Sequence, residues 1–266
     1  MDPCFCRFDS GLCNNMFQVA TGYAHCRRNG FQLRLPLEGN RYSDSYFHQY
    51  LAMKGNPVVP GRIWNEPRFS YVPIPPDTQN LVGYFQSSKY FADVSGEIRA
   101  LFALPTHLQD EVARRHATLL TPSLLDHGVI VHIRRGDYNY GQNKIKHGFL
   151  DERYYQRAIA AAQDAIPGCQ FLVCSDDLEW CRKQPWLTDV GAIFVDEPSD
   201  VLALWFMSRF RNFIIANSTF SWWAVWLGDA KMRGGQVWAP DRWFGPTGPQ
   251  DYQDVYEPDW VRLPIV

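Results

Sequence analysis

In the second half of the chain, short unbroken apolar runs alternate with longer stretches whose apolar residues recur every three or four positions. Val129–Ile133, Gln170–Cys174, Ala192–Val195, Phe213–Ala216 and Gln236–Ala239 read as strands. Glu152–Ile166, Asp177–Lys183, Val201–Phe210 and Phe220–Lys231 read as the helices between them. Continuous apolar runs suit strands buried on both faces, as in parallel sheets. The alternation predicts a doubly wound parallel α/β sheet with right-handed crossovers. Ligands in such sheets meet the carboxyl ends of the strands. Three polar motifs sit at such ends: Arg134–Asp137, Ser175–Asp177 and Asn217–Ser221.

The first half is less regular. Asn15–Arg28 reads as a helix with Met16, Phe17, Ala20 and Ala24 on one face and Gly30 as its stop. Phe31–Leu37 and Leu81–Phe85 read as strands, and Val94–Phe102 as a helix. The Pro- and Gly-rich stretch 55–76 reads as loop. Cys4 and Cys6 alternate along a predicted strand and so share a face. The pattern is interrupted over 104–128, which sets two domains, 1–115 and 116–266.

Composition narrows the class. The 266 residues carry 46% apolar and 20% charged side chains and a formal net charge of −2, so bulk polyanion binding, nucleic acid included, is not expected. Aromatics reach 15%, with ten Trp, which fits either sugar stacking or a Trp-rich core. MDPCFCRFDS lacks the basic and apolar regions of a signal peptide, and no stretch of about 18 apolar residues occurs. A cytoplasmic protein is expected, with peripheral membrane contact left open. Of seven cysteines, Cys4, Cys6, Cys13 and Cys26 fall in the first 26 residues, without paired zinc-ligand spacing. Buried free thiols are the expectation there.

VIVHIRRGD, Val129 to Asp137, carries the chemistry. Two guanidinium groups at a strand end suit a diphosphate, because each offers a planar fork of donors and stays protonated. Alternation along a strand sends adjacent side chains to opposite sides, so one arginine is open to a loop-bracing role. NFIIANSTFSWWAVWL adds a strand followed by Asn217, Ser218 and Thr219 and then a helix. Such a helix start has free backbone N–H groups and a partial positive charge, both favourable to phosphate. In CSDDLEWC, Ser175 is expected to cap a helix with Asp176 and Asp177 in its first turn, in preference to binding a metal.

At this point HIRRGD resembles the H-x-R-R-x-D motif of α-1,2-, α-1,6- and protein O-fucosyltransferases. SGLCNNMFQVATGYA, LVGYFQSSKYF, LDERYYQRAI, FLVCSDDLEWC, FIIANSTFSWWAVWL and VWAPDRWF are similar, in order, to motifs of glycosyltransferase family eleven, the α-1,2-fucosyltransferases, especially the bacterial ones. The resemblance implies a GT-B-like α/β fold, with two facing Rossmann-like domains and a cleft between them. It implies GDP-β-L-fucose as donor, held by the second domain, and a galactose-containing oligosaccharide or polysaccharide repeat as acceptor. It further implies an α-1,2-linked product, inversion at the anomeric carbon, no cofactor and no obligatory metal.

The resemblance also implies residue roles. Arg135 and Arg134 neutralise the departing diphosphate, and Asp137 orients them. Ser218, Thr219, and the backbone around Phe220 and Ser221, with Asn217, hold phosphate. His132 either contacts GDP or fixes the loop. Gly11, Asn14 and Gln86 shape the acceptor and fucose side. Relatives carry an aspartate at the position of Ala203; here Asp200 or Asp196 stands in as guanine reader. Cys13 replaces a usual glycine and is strained if its φ is positive. The stretch YNYGQNKIKHG holds no carboxylate to serve as general base. A non-catalytic carbohydrate-binding or scaffold protein of the same fold, and a fucosyltransferase of other linkage, are the alternatives.

Overall fold

The computed structural model describes residues 1–266 except 9, 37–39, 54–59, 137–140, 229, 231–232 and 266. The chain divides into two compact units: Met1–Pro105 with Asp251–Glu257, and Thr106–Gln250 with Pro258–Val266.

The first unit is built on a four-stranded sheet formed by β1 (Pro3–Cys6), β2 (Gln32–Arg34), β3 (Arg62–Asn65) and β4 (Thr78–Val82), in the order β2-β1-β4-β3. All three pairings are parallel. Helix α1 (Leu12–Asn29) crosses over from β1 to β2 and buries Met16, Phe17, Ala20 and Ala24. Gly30 ends it in the left-handed conformation, φ 71°, and its N–H returns to the Cys26 carbonyl. Close packing of this helix on the sheet leaves no room at Gly22, where a Cβ would lie 2.8 Å from Leu33 Cδ1. A short helix, α2 (Ser95–Leu101), completes the unit. Cys13 is helical and buried, and the left-handed φ in that loop belongs to Ser10 instead. The stretch read as loop contains the edge strand β3. Farther along, the loop is tied down when Asp251 and Asp254 accept the backbone N–H groups of Ser70 and Tyr71, both at 2.9 Å.

The second unit contains α3 (Thr106–Arg115), α4 (Pro122–His127), β5 (Gly128–Ile133), α5 (Gly141–His147), α6 (Glu152–Ala165), β6 (Gln170–Ser175), α7 (Leu178–Arg182), α8 (Pro185–Thr188), β7 (Ile193–Phe194), α9 (Asp200–Ser208), β8 (Asn212–Ile214), α10 (Thr219–Gly228), β9 (Val237–Pro240) and β10 (Val261–Leu263). Its six strands run in the order β10-β9-β8-β5-β6-β7, all pairings parallel. Every residue of β5 is buried, as expected for the central strand of a sheet covered on both faces. The α6 helix is capped by Asp151, which accepts the Arg153 N–H, and buries Tyr154, Tyr155, Ala158, Ile159 and Ala162 at helical spacing.

The aromatic excess goes mainly into this core. Seven of the ten tryptophans are buried. In α10, Trp222 and Trp223 are wholly buried, and Trp223 meets Trp222 and Trp226 edge-on with centroids 5.1 and 5.2 Å apart. Burying a large aromatic contributes about 1.5–3 kcal/mol, and each such pair roughly 0.5–1.5 kcal/mol more. The first turn of α10 is thereby fixed rigidly over the sheet. Among the described residues no helix is long and apolar enough to cross a membrane.

Candidate active site

The register of β5 against β6 positions the two arginines. Val129 faces Phe171, and the same offset holds through Ile133 and Ser175. Continued past the strand ends, it sets Arg134 beside Asp176 and Arg135 beside Asp177. Arg134 Nη1 lies 3.0 Å from Asp176 Oδ2. Arg135 Nε donates to Asp177 Oδ2 at 3.1 Å, and the Arg135 backbone N–H donates to Asp176 Oδ1 at 2.9 Å. Gly136 leaves the space this needs, since a Cβ there would lie 2.5 Å from Asp176 Oδ2. The Arg135 guanidinium carbon also lies over the Trp180 ring, 3.6 Å from its centre, with the Phe149 ring at 5.7 Å. Its side chain is 15% exposed.

These aspartates correct the reading of CSDDLEWC. The cap of α7 is Asp177, whose Oδ1 accepts the Trp180 N–H at 3.1 Å. Ser175 accepts the Asp177 N–H at 3.0 Å and lies before the cap, and the helix begins only at Leu178. Asp177 therefore caps and holds an arginine at once. Asp137, expected to orient the arginines, lies outside the described residues. Trp180 was not singled out from the sequence; its i+3 relation to the capping Asp177 is what brings its ring back over the arginine.

On the other side of β5 lies β8. The chain runs from β5 outward to β6 and β7, then returns to β8, so the order reverses between β5 and β8. Such a switch point opens a crevice at the carboxyl edge. His132, one residue before the end of β5, is almost wholly buried and lies 5.5 Å from the Phe220 ring. Burial, with Arg134 adding to it, pushes its imidazole down to about 3, so it is neutral. Among the described residues its Nδ1 has no hydrogen-bond partner.

Beyond β8, α10 opens at Thr219. Ser218 Oγ accepts the Phe220 N–H at 3.3 Å. The Trp222 N–H donates to the Ser218 carbonyl at 3.1 Å, while helix geometry gives the N–H groups of Thr219 and Ser221 no acceptor within their own helix. Thr219 and Phe220 are half-buried and accessible at this turn. Two neighbouring side chains are engaged within the fold. Ser221 Oγ is buried within 3.2 Å of the Ala216 and Ser218 carbonyls. Asn217 Nδ2 donates to the carbonyls of His147 at 2.6 Å and Trp243 at 3.0 Å. Asn217 thus braces two loops beneath the crevice.

Asp200 opens α9, next to its capping residue Ser199, and its Oδ1 accepts the Val201 N–H at 2.9 Å. Asp196 is exposed, 3.7 Å from Arg182. A cavity of about 270 Å³ lined by Phe149, Leu150, Asp151, Glu152, Arg153 and Trp180 adjoins the arginine stack. Among the described residues no group of three or more His, Cys, Asp or Glu is arranged to hold a metal ion.

In the first unit, Gly11 precedes α1 with an extended backbone, φ −83°, so its conformation does not require glycine. Gln86 Nε2 donates to Asn14 Oδ1 at 3.0 Å, which joins two of the three residues assigned to the sugar side.

The family model for Glycosyl transferase family 11 matches residues 6–264. An alpha-1,2-colitosyltransferase of Escherichia coli is 27% identical over 97% of both chains. Galactoside alpha-(1,2)-fucosyltransferase 2 of Hylobates lar is 26% identical over 95% of this chain and 75% of its own length. Among solved structures, an Arabidopsis thaliana FUT1 mutant in complex with GDP superposes with a TM-score of 0.53 at 13% identity, covering 91% of this chain and 71% of that one. NodZ alpha-1,6-fucosyltransferase soaked with GDP-fucose gives 0.51 at 13% identity, covering 85% and 93%. At such identities the likeness concerns the fold alone: α/β units on parallel sheets, of the GT-B-like class expected from the sequence.

Proposed function

Because this chain belongs to glycosyltransferase family 11, we propose that it moves L-fucose from GDP-β-L-fucose to the 2-hydroxyl of a galactoside, with inversion and without an obligatory metal. The observation that carries this reading is the pair of aspartate-held guanidinium groups beside a helix start, across the switch point of the second sheet. The bond from the anomeric carbon to the β-phosphate oxygen breaks, and its electron pair leaves with GDP. Arg135 and Arg134 receive the growing charge, with the Ser218–Ser221 turn of α10 on the facing side. Donors fixed in advance are effective because they need not reorganise as charge develops. Neutral His132, whose Nδ1 has no partner among the described residues, has a hydrogen bond to give or accept at the nucleotide. The acceptor oxygen attacks the anomeric carbon from the face opposite the departing GDP, so the new C–O bond forms as the old one breaks, and its proton is lost to water on that face.

A galactose-containing oligosaccharide or polysaccharide repeat is the acceptor in this reading. Asp200 reads guanine, and the work is done in the cytoplasm.

The relative named for colitose transfer supports a second donor. Colitose is fucose without its 3-hydroxyl, so the two differ by one hydrogen-bonding group. A site built to pair that hydroxyl rejects the deoxy sugar strongly, while an apolar site does not. Assays with both GDP sugars, with product linkage read by NMR, decide between them. The central test is Arg135→Ala: turnover should fall by about two to three orders of magnitude with the fold intact. Near-wild-type turnover sinks the electrostatic reading, and wild-type protein that transfers no sugar makes the non-catalytic alternative the better one.

A further inference from the structure

Two motifs unused by the phosphate chemistry, Gly11–Gln18 and Leu81–Gln86, meet at the carboxyl edge of the first sheet. Strands β1 and β4 are adjacent and parallel, so the segments that follow them leave that edge side by side. Gln18 Nε2 donates to the Gly83 carbonyl at 2.9 Å, Asn15 Nδ2 to Gln18 Oε1 at 3.1 Å, and Gln86 Nε2 to Asn14 Oδ1 at 3.0 Å. Among the described residues, the non-glycine residues with positive φ are Ser10, at 73°, and Phe85, at 54°. One precedes each arm of this polar cluster. A left-handed non-glycine residue costs roughly 1–3 kcal/mol and persists only where its surroundings determine it.

What determines Phe85 is visible. Its ring stacks on Trp64 at 6.0 Å and meets Tyr90 edge-on at 5.5 Å. Its backbone N–H lies 3.1 Å from each oxygen of Glu66, and the Tyr84 N–H donates to Glu66 Oε2 at 2.8 Å. Glu66 is itself anchored just past β3, where its N–H donates to the Val82 carbonyl at 2.8 Å. Gly83 makes the approach possible, since a Cβ there would lie 2.5 Å from Glu66 Cβ and 2.8 Å from Oε2. Burial pushes the Glu66 carboxyl group above its ordinary range, although the Phe85 and Tyr84 amides favour its charged form.

We propose that Glu66 is a positioning residue for sugar transfer: its carboxylate holds Phe85 in the left-handed conformation within the Gly83–Gln86 turn and so sets the Gln86 amide against Asn14, ready for sugar hydroxyls. This rests on the sugar-side assignment of Gln86 and Asn14 in the preceding reading. Glu66 touches no reacting atom and acts through the turn.

The test compares Glu66→Gln, Glu66→Asp and Gly83→Ala with wild type, each checked by melting temperature. GDP affinity is measured by calorimetry, and kcat and KM are measured separately for donor and acceptor. Misplacing a contact group by about 1 Å costs on the order of 100-fold. The Gln variant should therefore lose about 10- to 100-fold in kcat over acceptor KM while GDP affinity stays within about twofold. The Asp variant should recover part of the loss. Gly83→Ala, which displaces the turn but keeps the carboxylate, should reproduce it and covers the case in which Glu66→Gln does not fold. Unchanged kcat and KM in Glu66→Gln or Gly83→Ala overturn the proposal. So does a joint loss of melting temperature, GDP affinity and turnover with no recovery in Glu66→Asp. Wild type that neither binds GDP nor transfers sugar overturns the donor reading first, a result distinct from active wild type with indifferent variants.

Discussion

Arg135→Lys separates charge from geometry. Lysine keeps the cation, but it cannot lie flat on Trp180 or offer an Nε–H to Asp177. The arginine's stack at 3.6 Å is close, and at a largely covered side chain a cation–π contact contributes about 1–2 kcal/mol. The Asp177 contact counts for less, about 0.5–1 kcal/mol, because that carboxylate is 37% exposed and screened by solvent. If both serve to hold the guanidinium where charge develops, their loss raises the barrier by about 1.5–3 kcal/mol. At 1.36 kcal/mol per decade, kcat should fall roughly 10- to 150-fold. Trp180→Leu removes only the stack and should cost about 5- to 30-fold. Arg135→Ala removes everything and should be slowest. The assay is GDP release at saturating donor and acceptor, with GDP affinity and melting temperature measured beside it. An Arg135→Lys enzyme within about threefold of wild type would falsify the geometric account and leave charge alone. A Trp180→Leu enzyme with unchanged kcat would show that the indole does not position the arginine.

Three further outcomes follow from the same geometry. His132 has its pKa depressed to about 3, so the stability it protects is present above the unfolded value of about 6.5 and is lost as pH falls from there toward 3. Denaturant unfolding at pH 7.5 and pH 5 should show wild type losing about 2 kcal/mol more than His132→Phe; equal losses would place the imidazole in contact with water. Asn217→Ala removes the amide hydrogen bonds to the carbonyls of His147 and Trp243, which should cost about 2 kcal/mol and lower the melting temperature by roughly 4–8 °C. An unshifted melting curve would mean that those loops are held by something else. Gly228→Ala drives a Cβ to 2.4 Å from the Ser208 carbonyl, backbone that cannot rotate away, so the denaturation midpoint should drop by the equivalent of about 1–3 kcal/mol; a wild-type midpoint would show that α9 and α10 can separate freely.

Five strands of the second sheet were legible because their apolar runs are continuous and the central ones are buried on both faces, whereas the mostly exposed edge strand Val261–Leu263 was not read. Its predicted strands lie within a few residues of those observed, from Gly128–Ile133 through Val237–Pro240. Strands with one wet face were harder to see. Arg62–Asn65 is an edge strand whose residues are mostly exposed, and it reads as loop beside Pro and Gly. β4 begins at Thr78 rather than Leu81, because pairing with β1 and β3 recruits polar Thr78, Gln79 and Asn80. It stops at Val82, because Phe85 is turned into the left-handed region by a carboxylate 19 residues earlier. No local propensity announces such a contact. The return of Asp251–Glu257 to the first unit is equally silent in sequence, since it depends on two aspartates reaching amides about 180 residues away.

The counterions of the arginines were legible in principle, and the reason is geometric. Once two parallel strands are recognised as neighbours, one register assigns every facing pair, including pairs just past the strand ends. VIVHIRR laid against FLVCSDD puts Val on Phe, Ile on Leu, Val on Val, His132 on Cys174 and Ile133 on Ser175, as observed. The next two positions then bring Arg134 to Asp176 and Arg135 to Asp177, the ion pairs of the structure. Reading each motif alone instead assigns the aspartates to a helix start and leaves the arginines seeking a partner in Asp137. A paired arginine is also restrained in charge as well as in place, because its aspartate competes with phosphate for the same guanidinium. Removing that competitor while keeping the shape, as in Asp176→Asn, should therefore tighten GDP and slow its release. A GDP affinity equal to or weaker than wild type in that variant, measured by calorimetry, would mean that Asp176 acts on the loop and leaves the charge of Arg134 unaffected.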